Sequence, residues 1–327
     1  LNDKGGNQWA LVISDKLNVK SLGAIGDGVA DDTVPIQAAI NHTSTAGGGN
    51  VFIPSGTYDL SASSETDSFV DYNGTPRPAN TLSLIYVADS LDTTVEDLYI
   101  EGVGPDSGGG AGIFNVGTTT DGNHVRLTLR RLFVTNFGGY GIGLNHGYLV
   151  NCLVEDCETS FTGSDGIDAK SRSSDTSEIS RGNTISNFTA RAFGRRVSGS
   201  AAADLRGEWN INGVNARTFG TGITPRWGLR LRPASEINNF SRYCNVSNVR
   251  VDGDGSPDAN GVYIDGVQCN VSNVVCYDVA IGVQLAGDSR GTNLVNVNVK
   301  GNSDYGIQVG SNAIDCHLTN CFGRGAA

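Results

Sequence analysis

Four cations, three carboxylates and a tyrosine fall at equivalent places in successive repeats of this sequence. Aligned on a recurring glycine–aliphatic pair, the residue after the aliphatic reads Gly143, Asp168, Asp204, Arg230, Tyr263, Gln284 and Gln308, and two positions on come Asn145, Lys170, Arg206, Arg232 and Asp265. If the repeats stack about 4.8 Å apart as neighbouring strands do, one outer wall gathers Asp168, Lys170, Asp204, Arg206, Arg230, Arg232, Tyr263 and Asp265. Singly, each could be an ordinary solvated ladder residue; together they suggest a site. One chemistry is glycosidic hydrolysis, with two carboxyl groups about 5 Å apart for retention or about 6.5–9.5 Å for inversion. Asp168 with Asp204 suits the first spacing, and Asp204 with Glu208 or Asp265 the second. The other is β-elimination from a uronic acid, where cations neutralise the substrate carboxylate and a base removes the C5 proton. Lys170, Arg206, Arg230 and Arg232 supply such cations, and Tyr263, Lys170 or His146 such a base. Trp209 and Trp227 flank the wall and are candidates to stack on sugar rings. The two chemistries are not separated at this level.

A wall of this kind needs elements that repeat in register. Val246-Ser-Asn-Val249, Val271-Ser-Asn-Val274, Leu294-Val-Asn-Val297 and Leu318-Thr-Asn-Cys321 recur at spacings of 25, 23 and 24 residues, one solenoid coil per copy. Leu149-Val-Asn-Cys152, Ile185-Ser-Asn-Phe188 and Ile211-Asn-Gly-Val214 follow the template with longer insertions, near 157–165, 171–182, 191–201 and 217–226, that could wall a groove. The second strand of each coil opens with Gly141-Ile142, Gly166-Ile167, Gly228-Leu229, Gly261-Val262, Gly282-Val283 and Gly306-Ile307; in the one coil lacking the pair, Ala202-Ala-Ala-Asp-Leu-Arg aligns instead. Alternation sends Val and Ile inward and lets stacked Asn side chains bond along the column. The fold class expected is all-β, a right-handed parallel β-helix over 18–327 after a lead-in at 1–17. Pro35 with Asp31, Asp32 and Thr33 marks one short amphipathic helix that can plug a solenoid end.

Composition agrees and excludes alternatives. Forty-five glycines against eight prolines in 327 residues favour many short strands joined by turns. A formal charge of −11 argues against nucleic acid as partner, and no apolar run is long enough for membrane insertion. Seven cysteines, an odd number, fit buried structural thiols; Cys244, Cys269 and Cys316 each precede an Asn by four residues and should share a core column. Asn245, Asn270 and Asn187 match glycosylation acceptors but lie in or beside coil strands. No metal and no cofactor are expected: the cysteines lack zinc-knuckle spacing, Asp252–Asp258 stops short of a complete calcium loop, and Gly23, Gly26 and Gly28 lack a nucleotide-binding frame.

The run Gly23-Ala-Ile-Gly-Asp-Gly-Val-Ala-Asp-Asp-Thr33, followed by the helix and Gly47-Gly-Gly-Asn-Val-Phe-Ile-Pro-Ser-Gly-Thr-Tyr58, resembles the opening of the pectate-lyase superfamily as found in phage tailspikes and alginate C5-epimerases. The resemblance implies a β-helix that handles glycans without fixing the reaction. The style is most like that of a tailspike, which implies a bacterial surface or capsular polysaccharide as partner, a homotrimer, and a virion location or, failing that, a secreted bacterial protein. Ser164-Asp-Gly-Ile-Asp168 is similar to the Asn-Thr-Asp-Gly strand of polygalacturonases, although that family's paired Asp and Arg-Ile-Lys elements are absent. Tyr140-Gly-Ile-Gly-Leu-Asn145 matches the Tyr-Gly-Phe-Asp-Pro-His strand of the epimerases, with Gly143 in place of the Asp and Asn145 in place of the His, which weighs against epimerisation. The expectation is a surface-polysaccharide depolymerase, with a non-catalytic adhesin or structural spike as the alternative.

Overall fold

The computed structural model describes residues 16–46, 49–60, 84–88, 91–106, 109–116, 123–145, 148–169, 180–217, 226–232, 241–254, 256, 258–287 and 289–325. The chain forms two compact units, Leu1–Ser64 and Glu65–Ala327.

In the first unit, the helix Thr33–Thr45 packs Ile36 and Ala39 with Leu17, Val19 and Ala24. The acidic motif ahead of it is a folding device. Buried Asp32 accepts the N–H groups of Ile25 (2.6 Å) and Gly26 (3.0 Å), while Asp31 accepts from Thr33 N–H (3.0 Å). These carboxylates thus satisfy backbone donors at a turn and a helix start.

The second unit is a right-handed parallel β-helix. Among the described residues one sheet of nine strands runs from Ile85–Ala88 to Tyr305–Val309, and one of twelve from Thr94–Glu96 to His317–Gly325; every pairing is parallel. The core between them is aliphatic, with Ile142, Ile167, Leu229, Val262 and Val283 fully buried. The recurring Asn is explained by the backbone: Asn187, Asn248, Asn273, Asn296 and Asn320 all have φ between 51° and 58°, and Gly213 takes the same place at 89°. Asn and Gly tolerate this left-handed bend at least cost. Asn side chains then link the coils, Asn248 donating to Asn212 (2.8 Å), Asn273 to Asn248 (3.4 Å) and Asn296 to Asn273 (3.2 Å). The recurring Gly has a different cause. A Cβ on Gly261 would overlap the Gly282 carbonyl oxygen and the Cys276 sulfur, so the corner before the nine-stranded wall has no room for a side chain.

Cys244 and Cys269 stack in adjacent coils and are fully buried, with Thr292 and then Cys316 further along the same column. One coil earlier this column holds Trp209, which is 0% exposed and donates its indole N–H to Arg206 O (2.9 Å). The expectation that Trp209 meets a sugar is therefore corrected: its ring fills the core.

Candidate active site

The wall column forms in the register expected from the repeats. Gly143 pairs with Asp168, Asp168 with Asp204, Asp204 with Arg230, Arg230 with Tyr263, Tyr263 with Gln284 and Gln284 with Gln308. Asp168 and Asp204 thus come from the strands Ile167–Ala169 and Ala201–Leu205, short segments whose aliphatic neighbours point into the core. Both acids are 0% exposed.

A third carboxylate completes the group. Asp165 precedes the strand at the coil corner, and one oxygen from each of Asp165, Asp168 and Asp204 lies within 4.8 Å of the other two. Asp165 accepts the Ala201 N–H (2.5 Å) and the Ser164 hydroxyl (3.1 Å). The insertion 192–200 helps place it, because Gly194 N–H donates to Ser164 O and Arg196 N–H to Gly163 O, both at 2.8 Å, before the chain enters Ala201. That segment lies within the insertion 191–201 expected to wall the groove, and Ala201 at its end carries the donor that holds Asp165.

Three guanidiniums oppose the three acids. Arg230 donates to Asp204 (2.8 Å) and lies 3.7 Å from Asp165. Arg232 grips both oxygens of Asp204 at 2.5 and 2.9 Å. Arg206 lies 4.0 Å from Asp168 and 3.9 Å from Asp204. These cations separate the acids' proton affinities. Burial raises the Asp165 pKa, helped by the charges of Asp168 and Asp204, and its carboxyl is pushed up to about 7. Asp204 is buried as deeply, but the Arg230, Arg232 and Arg206 charges outweigh burial and hold its pKa below the ordinary carboxylate value. Adjacent carboxyls with proton affinities driven apart are the arrangement acid–base chemistry needs. Three clustered carboxylates have the geometry of a cation site, but the guanidiniums already oppose that charge and occupy both Asp204 oxygens.

Of the other candidates, Tyr263 and Asp265 continue the wall columns beyond the three acids. Tyr263 stands two coils from Asp204, its ring edge-on to Trp227 at 5.2 Å and 68°. Trp227 is 9% exposed, so only a sliver of it reaches the surface. Asp265 continues the second column, its N–H donating to Leu231 O (2.7 Å) next to Arg232. Glu208 sits in the turn before the strand Trp209–Arg217, within electrostatic reach of the Cys244 thiol, and it makes no described contact with the three acids. Lys170 and His146 lie outside the described residues. The residue the column alignment missed is Asp165. Its signal was the Ser-Asp-Gly-Ile-Asp run, but strand alternation does not extend around the corner where it sits.

Similarity to known proteins fits this architecture. Mannuronan C5-epimerase AlgE2 of Azotobacter vinelandii is 31% identical over 173 residues, which span 46% of this chain and 17% of that protein. The A-module of the AlgE4 mannuronan C-5 epimerase from the same organism superposes with a TM-score of 0.60 at 18% identity, covering 96% of this chain and 99% of the module. The enzymatically active domain of bacteriophage CBA120 tailspike protein 2 gives a TM-score of 0.60 at 14% identity over 97% of this chain and 49% of its own. At such identities the superpositions speak for the fold. The family model of rhamnogalacturonase A/epimerase, pectate lyase-like proteins matches residues 16–239, from the acidic turns of the first unit through the wall that carries all three aspartates, and the chain is a member of that family.

Proposed function

We propose that this chain cleaves an extended extracellular polysaccharide by glycosidic hydrolysis at Asp165, Asp168 and Asp204. The carrying observation is the divergence between two carboxyls with oxygens within 4.8 Å of each other, Asp165 holding its proton near neutrality and Asp204 held ionised by arginines. In this reading Asp204 attacks the anomeric carbon as the glycosidic bond breaks and Asp165 protonates the departing oxygen; Asp165 then takes a proton from water, which cleaves the sugar–Asp204 bond and frees both groups. The charge of Asp168 helps keep the proton on Asp165. The oxygen separations, within 4.8 Å, match the short spacing of retaining enzymes, about 5–5.5 Å between carboxyls, rather than the longer inverting one. Arg230 and Arg232 orient Asp204, and Arg232, the most exposed of the three cations at 33%, is the one an incoming sugar meets first.

Elimination is the weaker chemistry, because the guanidiniums that would neutralise a substrate carboxylate are engaged with Asp204. Epimerisation is weaker still despite the mannuronan epimerase relatives, since Gly143 and Asn145 stand on the wall at the matching strand. The buried cluster also argues against a passive adhesin: desolvating ionisable groups is costly, and burying Asp165, Asp168, Asp204 and Arg206 in one patch of a solenoid, with Arg230 and Arg232 half-buried beside them, serves stability poorly.

The test is incubation with capsular, lipopolysaccharide and alginate preparations, following reducing ends and the ultraviolet absorbance of unsaturated uronates. Reducing ends without the absorbance support hydrolysis, both signals mean elimination, and binding with neither signal means an adhesin. A trimeric spike on a virion is the finer reading, supported by the tailspike likeness, and light scattering giving the mass of one chain would remove it.

A further inference from the structure

The outer face of the twelve-stranded sheet carries a second ordered set of charges. Beyond the Asn bend, the outward column pairs Arg191 with Arg217, and after Asp252 it pairs Tyr277 with Lys300 and Lys300 with Arg324. Arg250 projects from the Asp252 strand two residues earlier. Five of six successive coils thus contribute a cation, and the sixth contributes Tyr277. The Tyr277 ring lies between the two nearest cations, 4.9 Å from the Arg250 guanidinium and 5.9 Å from the Lys300 ammonium. By strand spacing the column runs about 24 Å.

Carboxylates offset part of this charge. Arg191 pairs with Glu158 (3.1 Å) and Arg250 with Asp252 (3.9 Å), and Asp254 shares a depression with Arg191, Arg217 and Asp252. Arg217, Lys300 and Arg324 are exposed and make no ion pair among the described residues. On a chain of net charge −11 a cationic stripe of this length stands out. The stripe repeats along the coil axis, and the Tyr277 ring holds Arg250 and Lys300 in place within it.

We propose that this face holds a linear polysaccharide bearing a carboxylate or sulfate on its sugars, at a site separate from the three aspartates. Arg217, Lys300 and Arg324 meet the acidic groups, and Tyr277 positions Arg250 and Lys300 among them. Such a holding site keeps a long polymer near the protein while other parts of the chain engage it.

The proposal is tested in an Asp204→Asn background, which on the function proposed above silences cleavage, by affinity electrophoresis through gels containing sodium polygalacturonate or dextran. The parent should be retarded by polygalacturonate and not by dextran, and the retardation should vanish in about 1 M salt, where the Debye length is about 3 Å. Adding Arg217→Ala, Lys300→Ala and Arg324→Ala should weaken the interaction about tenfold or more. Lys300→Glu alone should shift it in the same direction, and Tyr277→Ala a few-fold. Circular dichroism melting curves that match the parent show that the exchanges act on binding. Polygalacturonate binding unchanged in both the triple variant and Lys300→Glu overturns the proposal, as does equal retardation by dextran or by duplex DNA.

Discussion

Two ladders run along the same β-helix and use its register to opposite ends. On the twelve-stranded sheet, Asn248, Asn273 and Asn296 are exposed, neutral and bonded side chain to side chain. On the nine-stranded wall, Asp168, Asp204 and Arg230 occupy successive coils with both acids fully buried and Asp204 gripped by arginines. An amide ladder satisfies its own donors and acceptors and costs little, so it can repeat indefinitely. Charges cannot be stacked in that way without alternating sign and losing water. The wall carries its charges over a few coils and then returns to Tyr263, Gln284 and Gln308. A ladder that is expensive and local points to chemistry; one that is cheap and long points to folding.

The sharpest way to break the contrast is Asp204→Asn. Turnover should fall by about three orders of magnitude or more while glycan binding stays largely intact, as steady-state rates and a binding isotherm would show; unchanged turnover removes the wall as the reacting surface. Asp165→Asn should cost about 10²–10⁴-fold and change the shape of the pH profile. With its carboxyl up at about 7, the acid is protonated below that pH, so activity should decline as pH rises through it, and the variant should lose this limb. Stability follows the same proton. Between the ordinary 3.8 and about 7, native Asp165 keeps a proton that the unfolded chain has released, so its contribution to stability falls as pH rises across that window. Asp204 acts in the opposite sense, its contribution being lost only as pH drops through its depressed value.

Smaller effects are expected from the scaffold. Gly261→Ala forces a methyl against Gly282 and Cys276 and should cost about 1–3 kcal/mol in chemical denaturation without altering the pH profile. Asn273→Ala should cost about 1–2 kcal/mol, combining a left-handed alanine with a lost amide link, and Asn273→Gly should recover most of it. If Asn273→Ala changed turnover as strongly as the wall variants do, the division between the ladders would fail.

Much of this contrast was legible in advance. The spacing of Val-Ser-Asn-Val copies and the Gly–aliphatic corners identified the coils and aligned Asp168, Asp204 and Arg230, because in a solenoid neighbours in space are equivalents in sequence. Trp209 was readable too: it precedes Asn210 as Cys244 precedes Asn245, which puts it in the inward cysteine column. Its column, not its nearness to the wall, decides the face it takes. Glu208 likewise lies near Asp204 in sequence but in the turn that leads to the other sheet.

The sequence by itself determined the repeat, the inward and outward columns, and the pairing of equivalent residues, since period and alternation are local properties that stacking only copies. Tertiary structure alone decided that Asp165 joins the two wall acids and that all three are buried beneath arginines. A corner residue's direction depends on how an insertion folds back over it, and a carboxyl's proton affinity depends on the water and charge around it, neither of which follows from spacing along the chain.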